Sequence, residues 1–241
     1  MPRFYCNEPM RIGMLLTLPE TVARHIHVLR LTPGEIVIIF NGEGGEFHAS
    51  LCEIEKKRVV VELKTFSPRE AESAHALTLA QGLPEGSKMD WIIEKAVELG
   101  ATAIVPLAAS RSVVKVTAER AEKKMAHWQG IMAAAAEQCG RNRLPHLAEP
   151  VNFSLWISQQ DLHRRVLLSP RGTQSLTDWA RHQPPQALTL IIGPEGGFTE
   201  AEESLAIERG ALCLAMGERV LRTETAGMTA LAAVQALWGE L

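Results

Sequence analysis

The chain has 241 residues, of which 46% are hydrophobic and 22% are charged, and its formal net charge is −3. This composition is typical of a soluble globular protein with one large domain or two smaller ones. No apolar run reaches the roughly 18 residues of a membrane span, the first residues lack the layout of a signal peptide, and the four cysteines form no Cys-x-x-Cys pair. We therefore expect a cytoplasmic protein with no membrane partner and no metal.

The first seventy residues predict a small β-barrel. Three β-rich segments follow one another closely, and a helix is predicted over Pro19–Arg30. Asn41–Gly45 is rich in residues that tolerate positive φ, so it predicts a hairpin turn between the first two strands. The predicted strands are Glu35–Phe40, Glu46–Glu53 and Arg58–Phe66. The polar segment Ser67–Ser73 contains a proline and is predicted to be a linker.

Beyond this segment, strands alternate with longer helices, which predicts a parallel sheet covered on both faces. Thr199 and Glu202 form a capping-box pattern that starts the helix running to Arg209. The other predicted helices are Lys88–Leu99, Thr117–Cys139, Ser175–Arg181 and Thr223–Trp238. The predicted strands are His75–Leu83, Ala103–Leu107, Val166–Leu168, Leu188–Ile192 and Leu212–Ala215.

The acidic net charge is weak evidence against a nucleic-acid partner, because phosphates favour basic proteins. The segment of residues 108–145 differs from the whole chain, because its local charge is positive. They contain three glutamates and seven basic residues: Arg111, Lys115, Arg120, Lys123, Lys124, Arg141 and Arg143. A solvated helix face has the same composition, so this cluster permits an RNA partner without requiring one.

Three loops follow buried strands at the carboxyl ends, where ligands of open α/β sheets collect. They are residues 169–172, 193–198 and 216–219, and the middle one reads Gly-Pro-Glu-Gly-Gly-Phe. A tight turn needs only one glycine, so three glycines favour a binding loop with an accessible main chain. Neither a phosphate loop nor the dinucleotide pattern occurs in this half of the chain. The loop suits S-adenosylmethionine, while an NAD- or nucleotide-dependent enzyme remains the alternative.

The 193–198 loop is followed by Leu-Arg-Thr-Glu-Thr-Ala over residues 221–226. Together these motifs resemble the signature of the ribosomal RNA small subunit methyltransferase E family. Further similarities are Lys88 with Glu94–Gly100, Arg111–Val114, Glu137–Cys139, and His25 with Val28–Arg30. The resemblance covers nearly the whole chain, and the acidic net charge is its main departure.

The resemblance implies a PUA-like β-barrel over residues 1–70 that binds RNA, and a SPOUT methyltransferase domain with a trefoil knot over residues 71–241. It implies a homodimer that uses S-adenosylmethionine to methylate N3 of a uridine in 16S ribosomal RNA of the small ribosomal subunit. The cofactor-binding residues expected from it are Leu168, Ser169, Ile192, Gly193, Glu195, Gly196, Gly197, Met216, Gly217, Leu221, Thr225 and Ala226.

N3 of uridine is a weak acid, so the reaction needs a group that removes its proton or stabilises the resulting anion. Glu195 and Arg222 are the candidate catalytic residues, although Arg222 could instead pair with Glu218 or Glu224. The candidate RNA contacts are Arg3, Arg24, Arg30, Lys88 and Arg111, each of which could equally be a solvated surface charge. A non-catalytic RNA-binding factor for ribosome assembly is the other alternative.

Overall fold

The computed structural model describes residues 1–112 and 118–239. The predictions that named Val113, Val114, Lys115 and Thr117 therefore lie outside the described residues, as does the side chain of Arg120. The chain divides into two compact units. The first contains Met1–Glu72 together with Ala133–Leu144, and the second contains Ser73–Met132 and Pro145–Leu241.

The first unit is built on a five-stranded sheet with one short helix. Its elements are β1 (Arg3–Tyr5), β2 (Leu15–Thr17), α1 (Glu20–Val28), β3 (Ile36–Phe40), β4 (Glu46–Ile54) and β5 (Val59–Ser67). The strand order is β1-β3-β4-β5-β2, antiparallel except for the parallel pair of β1 with β3. Ile26 of α1 packs into the core with Ile39, Leu51 and Leu63. The predicted helix, strands and hairpin turn are present, and Gly42, Gly44 and Gly45 all have positive φ.

The segment predicted as a linker is held within the first unit by polar contacts to residues 140–142. Arg141 pairs with Glu72 at 2.5 Å, and the Asn142 side chain donates to the Arg69 carbonyl at 2.6 Å. The Arg69 guanidinium in turn donates to the Gly140 carbonyl at 2.9 Å. The sequence did not indicate these contacts, because the partners are about 70 residues apart.

The second unit contains the remaining elements. They are β6 (Leu77–Gly82), α2 (Lys88–Glu98), β7 (Ala103–Ala108), α3 (Ala118–Cys139, whose last turns belong to the first unit), β8 (His146–Leu147), β9 (Val151–Asn152), α4 (Phe153–Ile157), β10 (Arg164–Leu168), β11 (Gln174–Ser175), α5 (Leu176–Arg181), β12 (Leu188–Ile192), α6 (Glu200–Glu208), β13 (Leu212–Ala215) and α7 (Thr223–Trp238).

These strands form one sheet in which all pairs are parallel, as predicted. The order is β11-β13-β10-β12-β6-β7-β8, with β9 also pairing with β7. Helix α7 packs with α2 and α5 and lies against β6 and β12, while α4 packs with α6. Because α7 follows β13, the chain crosses from one side of β10 to the other through residues 216–222. Because β10, β12 and β13 are parallel, the three loops that follow them lie at one edge of the sheet.

The predicted capping box is present at the start of α6. Thr199 Oγ1 accepts from the Glu202 amide at 3.2 Å, and Glu202 Oε2 accepts from the Thr199 amide at 2.8 Å. We expect Thr199→Ala to lower the free energy of unfolding by about 1 kcal/mol, because the Glu202 amide loses its side-chain acceptor and the Glu202 carboxylate loses the bond from the hydroxyl. Urea denaturation measures this. Thr229→Ala, at an exposed mid-helix position of α7, is the matched control, and an equal loss in both variants would contradict the prediction.

Candidate active site

A cleft of about 560 Å³ lies at the carboxyl ends of β10, β12 and β13. Its walls are the loops over residues 169–171, 193–198 and 216–222, together with the first turn of α7. The volume falls within the range of small-molecule sites, and the position is where parallel sheets bind ligands.

The glycines of the middle loop allow unusually close main-chain packing. A Cβ on Gly82, at the end of β6, would lie 2.5 Å from the Pro194 nitrogen, and one on Gly193 would lie 3.0 Å from the Gly197 Cα. Gly197 has φ of +65°, a conformation that glycine adopts without strain. Arg111 holds the loop by donating to the Gly196 carbonyl at 2.8 Å. The loop therefore has a fixed shape that residues with side chains could not reproduce.

A buried carboxylate fixes the loop that follows β10. Glu203 of α6 accepts from Ser169 Oγ and from Arg171 Nε, both at 2.9 Å. The hydrogen bond and charge of Glu203 raise the pKa of Arg171. The Arg171 amide also donates to Ser169 Oγ at 3.1 Å. Ser169 is therefore occupied by internal hydrogen bonds and shapes the wall of the cleft.

A buried polar chain joins β6, the glycine loop and α7. Gln81, which is completely buried, donates to Thr223 Oγ1 at 2.8 Å, and Thr223 donates to the Gly193 carbonyl at 2.6 Å. Because Thr223 is the first residue of α7, these bonds set the position of that helix end against the loop.

Arg222 stands at the N-cap of α7, and its exposed side chain lines the cleft. Its guanidinium makes no hydrogen bond or ion pair with any residue of the described ranges, so the alternative pairing with Glu218 or Glu224 is not formed. A cation held at the mouth of a cleft without an internal partner is available to an anionic group of a ligand.

Glu195 is bound to its surroundings. Its carboxylate accepts from Lys88 Nζ and from the Glu85 amide at 3.1 Å. Burial raises the pKa of Glu195, but the bonds from Lys88 and from main-chain amides outweigh it, and the pKa lies below its ordinary value. The bond to Glu195 raises the pKa of Lys88. A carboxylate with a lowered pKa is a weak base, so this geometry favours a structural role for the pair.

The structure brings most of the residues expected to bind the cofactor to this one cleft. Thr225 is the exception, because it is exposed and its main chain is engaged in the first turn of α7. The lining residues that were expected are Leu168, Ser169, Ile192, Gly193, Glu195, Gly196, Gly197, Met216, Gly217, Leu221 and Ala226. Those not singled out as contacts beforehand include Phe198, Glu203, Val220, Thr223 and Glu224. Four of these stand within or beside the two motifs, whereas nothing in the sequence marked Glu203.

The five basic residues expected to bind RNA lie in different surroundings. The Arg3 side chain is 12% exposed, pairs with Glu46 at 2.6 Å and also donates to the Asn142 side chain. Arg24 is 73% exposed, with Glu20 at 3.9 Å, and Arg30 is exposed. Lys88 and Arg111, as described above, are bonded within the second unit.

The described residues contain no cluster of three His, Cys, Asp or Glu side chains that could hold a metal ion. Within the same ranges, no helix has the length and apolarity that a membrane crossing requires.

Comparison with known proteins identifies the family. The model of the RNA methyltransferase domain matches residues 71–235, and that of the RNA methyltransferase PUA domain matches residues 18–64. The ribosomal RNA small subunit methyltransferase E of Bacillus subtilis is 35% identical over 222 residues, covering 89% of this chain and 87% of the relative. The chain belongs to the ribosomal RNA small subunit methyltransferase E family.

Solved structures agree with this family. A methyltransferase E from Neisseria gonorrhoeae, crystallised with S-adenosyl methionine, has a TM-score of 0.91 and 37% identity, covering 99% of this chain and 98% of its own. A Legionella pneumophila protein in complex with the cofactor SAM has a TM-score of 0.92 and 39% identity, covering 97% and 96%. The predicted fold class, an α/β SPOUT methyltransferase domain preceded by a PUA-like β-barrel, is confirmed. The alternative of an NAD- or nucleotide-dependent enzyme is not favoured.

Proposed function

We propose that this protein uses S-adenosylmethionine to methylate N3 of a uridine in 16S ribosomal RNA of the small subunit. The observation that carries the proposal is the glycine-lined cleft with a cation, Arg222, that has no internal partner in the described chain. Membership of the methyltransferase E family supports the same substrate class.

The residues present fit the cofactor. Leu168, Ile192 and Leu221 offer apolar surface to an adenine ring, and the packed glycines leave main-chain groups within reach of a ribose and an amino acid. Among the described residues, no lysine lines the cleft, whereas the phosphate loop of nucleotide-binding proteins uses one. When bound, the cofactor supplies the methyl group, whose transfer forms the N3–C bond as the C–S bond breaks and leaves a neutral thioether and one proton.

Arg222 is proposed to hold a carbonyl oxygen of the uracil ring and to stabilise the negative charge that develops when N3 loses its proton. The Lys88–Glu195 pair is proposed to keep the glycine loop in its binding shape, since both partners are already engaged with each other. Positioning the nucleophile opposite the methyl group supplies much of the remaining rate acceleration.

RNA contact is proposed for the barrel of residues 1–70 through Arg24 and Arg30, whose side chains are exposed. Lys88 and Arg111 are proposed to face the RNA at the rim of the second domain, residues 71–241, while also holding the glycine loop. Arg3 is the least accessible of the five basic residues, since its side chain is only 12% exposed and pairs with Glu46.

We further propose three properties that the resemblance implies: a trefoil knot, a homodimer and a cytoplasmic location. The crossing of residues 216–222 between β13 and α7 supports a knot, because α7 returns past β10 to lie on β12 and β6. The dimer is tested by light scattering of the purified protein.

The function is tested by two measurements. Calorimetric titration of the purified protein with S-adenosylmethionine, ATP and NAD should give binding of the first alone. Mass spectrometry of small-subunit RNA from cells without this protein should show the loss of 3-methyluridine, and the wild-type gene should restore it. Binding to RNA without transfer of a methyl group would instead favour a non-catalytic assembly factor.

We expect the double substitution Arg24→Gln and Arg30→Gln to flatten the salt dependence of binding to small ribosomal subunits. Each lost phosphate contact removes about one unit from the slope of log K against log salt. Arg58→Gln is the matched control, because Arg58 is exposed on the same unit but pairs with Glu53 at 2.9 Å. An unchanged slope in the double variant would show that these two arginines do not contact RNA.

A further inference from the structure

Glu224 differs from the other acidic residues that line the cleft. Glu195 is bound by Lys88, Glu203 is bound by Ser169 and Arg171, and Glu218 is exposed to solvent. Glu224 is half-buried in the first turn of α7, and its Oε2 atom is sealed from solvent. Neither of its carboxylate oxygens has a hydrogen bond or an ion pair with a described residue.

A buried carboxylate oxygen without a donor is unfavourable, and folded proteins normally provide a partner for such an atom. Since Glu224 lines the cleft, a donor brought by a ligand can complete the site. Arg222 stands two residues earlier, so the same helix end presents a carboxylate and a guanidinium, both without internal partners.

The uracil ring matches this pair of groups. Its N3–H is a hydrogen-bond donor, and it lies between two carbonyl oxygens that accept. A group that accepts from N3–H beside a cation that donates to a neighbouring oxygen is the arrangement that proton removal from N3 requires. Glu195, by contrast, already accepts a hydrogen bond from Lys88. This bond, together with the negative charges of Glu195, Glu224 and Glu85, raises the pKa of the Lys88 ammonium.

We propose that Glu224 is the catalytic base of this enzyme: it accepts the N3 proton of the target uridine. This inference rests on the proposed function above. The N3–H bond breaks with its electrons left on N3, and the proton moves to the Glu224 carboxylate. The N3–C bond then forms as the C–S bond of the methyl donor breaks, and Glu224 returns its proton to water.

The test is the pH dependence of single-turnover methylation of unmodified small ribosomal subunits. The wild-type rate constant should stay nearly constant from about pH 6 to 9, because the carboxylate removes the proton. Glu224→Gln should lower the rate constant about 10²-fold near pH 7 and make it rise about tenfold per pH unit, because only uridine that is already ionised can react. A variant that keeps the flat wild-type profile overturns the proposal.

Two binding measurements separate this role from others. Calorimetry should give the same affinity for S-adenosylmethionine in wild type and Glu224→Gln; a loss of more than about tenfold would assign Glu224 to the cofactor and overturn the proposal. Without cofactor, the wild type should bind unmodified subunits more tightly than subunits carrying 3-methyluridine, and Glu224→Ala should abolish this preference. An undiminished preference would contradict contact with N3.

Glu200→Gln is the matched control, because Glu200 is an exposed carboxylate in the first turn of α6 and does not line the cleft. It should behave as the wild type in all three measurements. If the wild type itself neither binds S-adenosylmethionine nor methylates subunits, the proposed function fails. If the wild type methylates and Glu224→Gln keeps its pH profile, only the assignment of Glu224 fails.

Discussion

Replacement of Arg222 by alanine is expected to lower kcat for methyl transfer about 10³-fold while leaving the affinity for S-adenosylmethionine within a few fold. The guanidinium has no internal partner in the described chain, so its removal leaves no buried group unsatisfied and should not disturb the fold. The loss falls on the transition state, because negative charge on the uracil oxygens develops only as N3 gives up its proton. Single-turnover kinetics and calorimetry measure the two quantities separately.

Arg222→Lys distinguishes charge from geometry, because an ammonium keeps the charge but lacks the planar pair of donors. We expect it to recover part of the lost rate. Arg209→Ala is the control: Arg209 is an exposed arginine beside the end of α6, outside the cleft, and its loss should leave kcat unchanged. An Arg222→Ala variant that retains most of its rate would remove this residue from the mechanism.

Replacement of Gly82 by alanine is expected to weaken binding of S-adenosylmethionine by at least about 10²-fold. The added Cβ would lie 2.5 Å from the Pro194 nitrogen and 2.9 Å from the Gly193 carbonyl carbon, and neither main-chain atom can rotate away. The glycine loop must therefore move off β6, which carries it out of its binding shape. Overpacking of this kind also lowers the free energy of unfolding by about 1–3 kcal/mol.

Calorimetry and urea denaturation measure these two effects. Gly130→Ala is the matched control, because Gly130 lies within α3 and an added Cβ would point into open space. That variant should bind the cofactor normally and gain up to about 1 kcal/mol in stability from the higher helix propensity of alanine. If Gly82→Ala binds as tightly as the wild type, close approach of the loop to β6 is not needed for the site.

The sequence predicted the second sheet well because its strands are continuous apolar runs bounded by clear helix signals. Leu188–Ile192 and Leu212–Ala215 match the structure residue for residue, and Thr199 with Glu202 marks the start of α6. Strands of two or three residues, such as β1 and β11, have too few residues to show a periodic pattern. The strand order could not be predicted from the sequence either, since β10 to β13 do not pair in chain order.

The sequence likewise located some parts of the candidate site and not others. Loops that follow buried strands could be located from the glycines of residues 193–197, and the motif at 221–226 pointed to Arg222 and its neighbours. Partners that act across the fold could not be located: nothing in the sequence relates Glu203 to Ser169, or Lys88 to Glu195. The surroundings of Arg3 could not be predicted for the same reason, because the pairing of its guanidinium with Glu46 depends on a contact across 43 residues.

The cleft is assembled from segments that are far apart in the chain. Its bonds join Gln81 to Thr223 over 142 residues and Arg111 to Gly196 over 85. Contacts between such distant segments form late in folding, because closing a large loop costs conformational entropy before the contacts themselves stabilise the structure. During refolding, ligand uptake should therefore lag behind the recovery of secondary structure, so that competence to bind reports arrival at the fully native state.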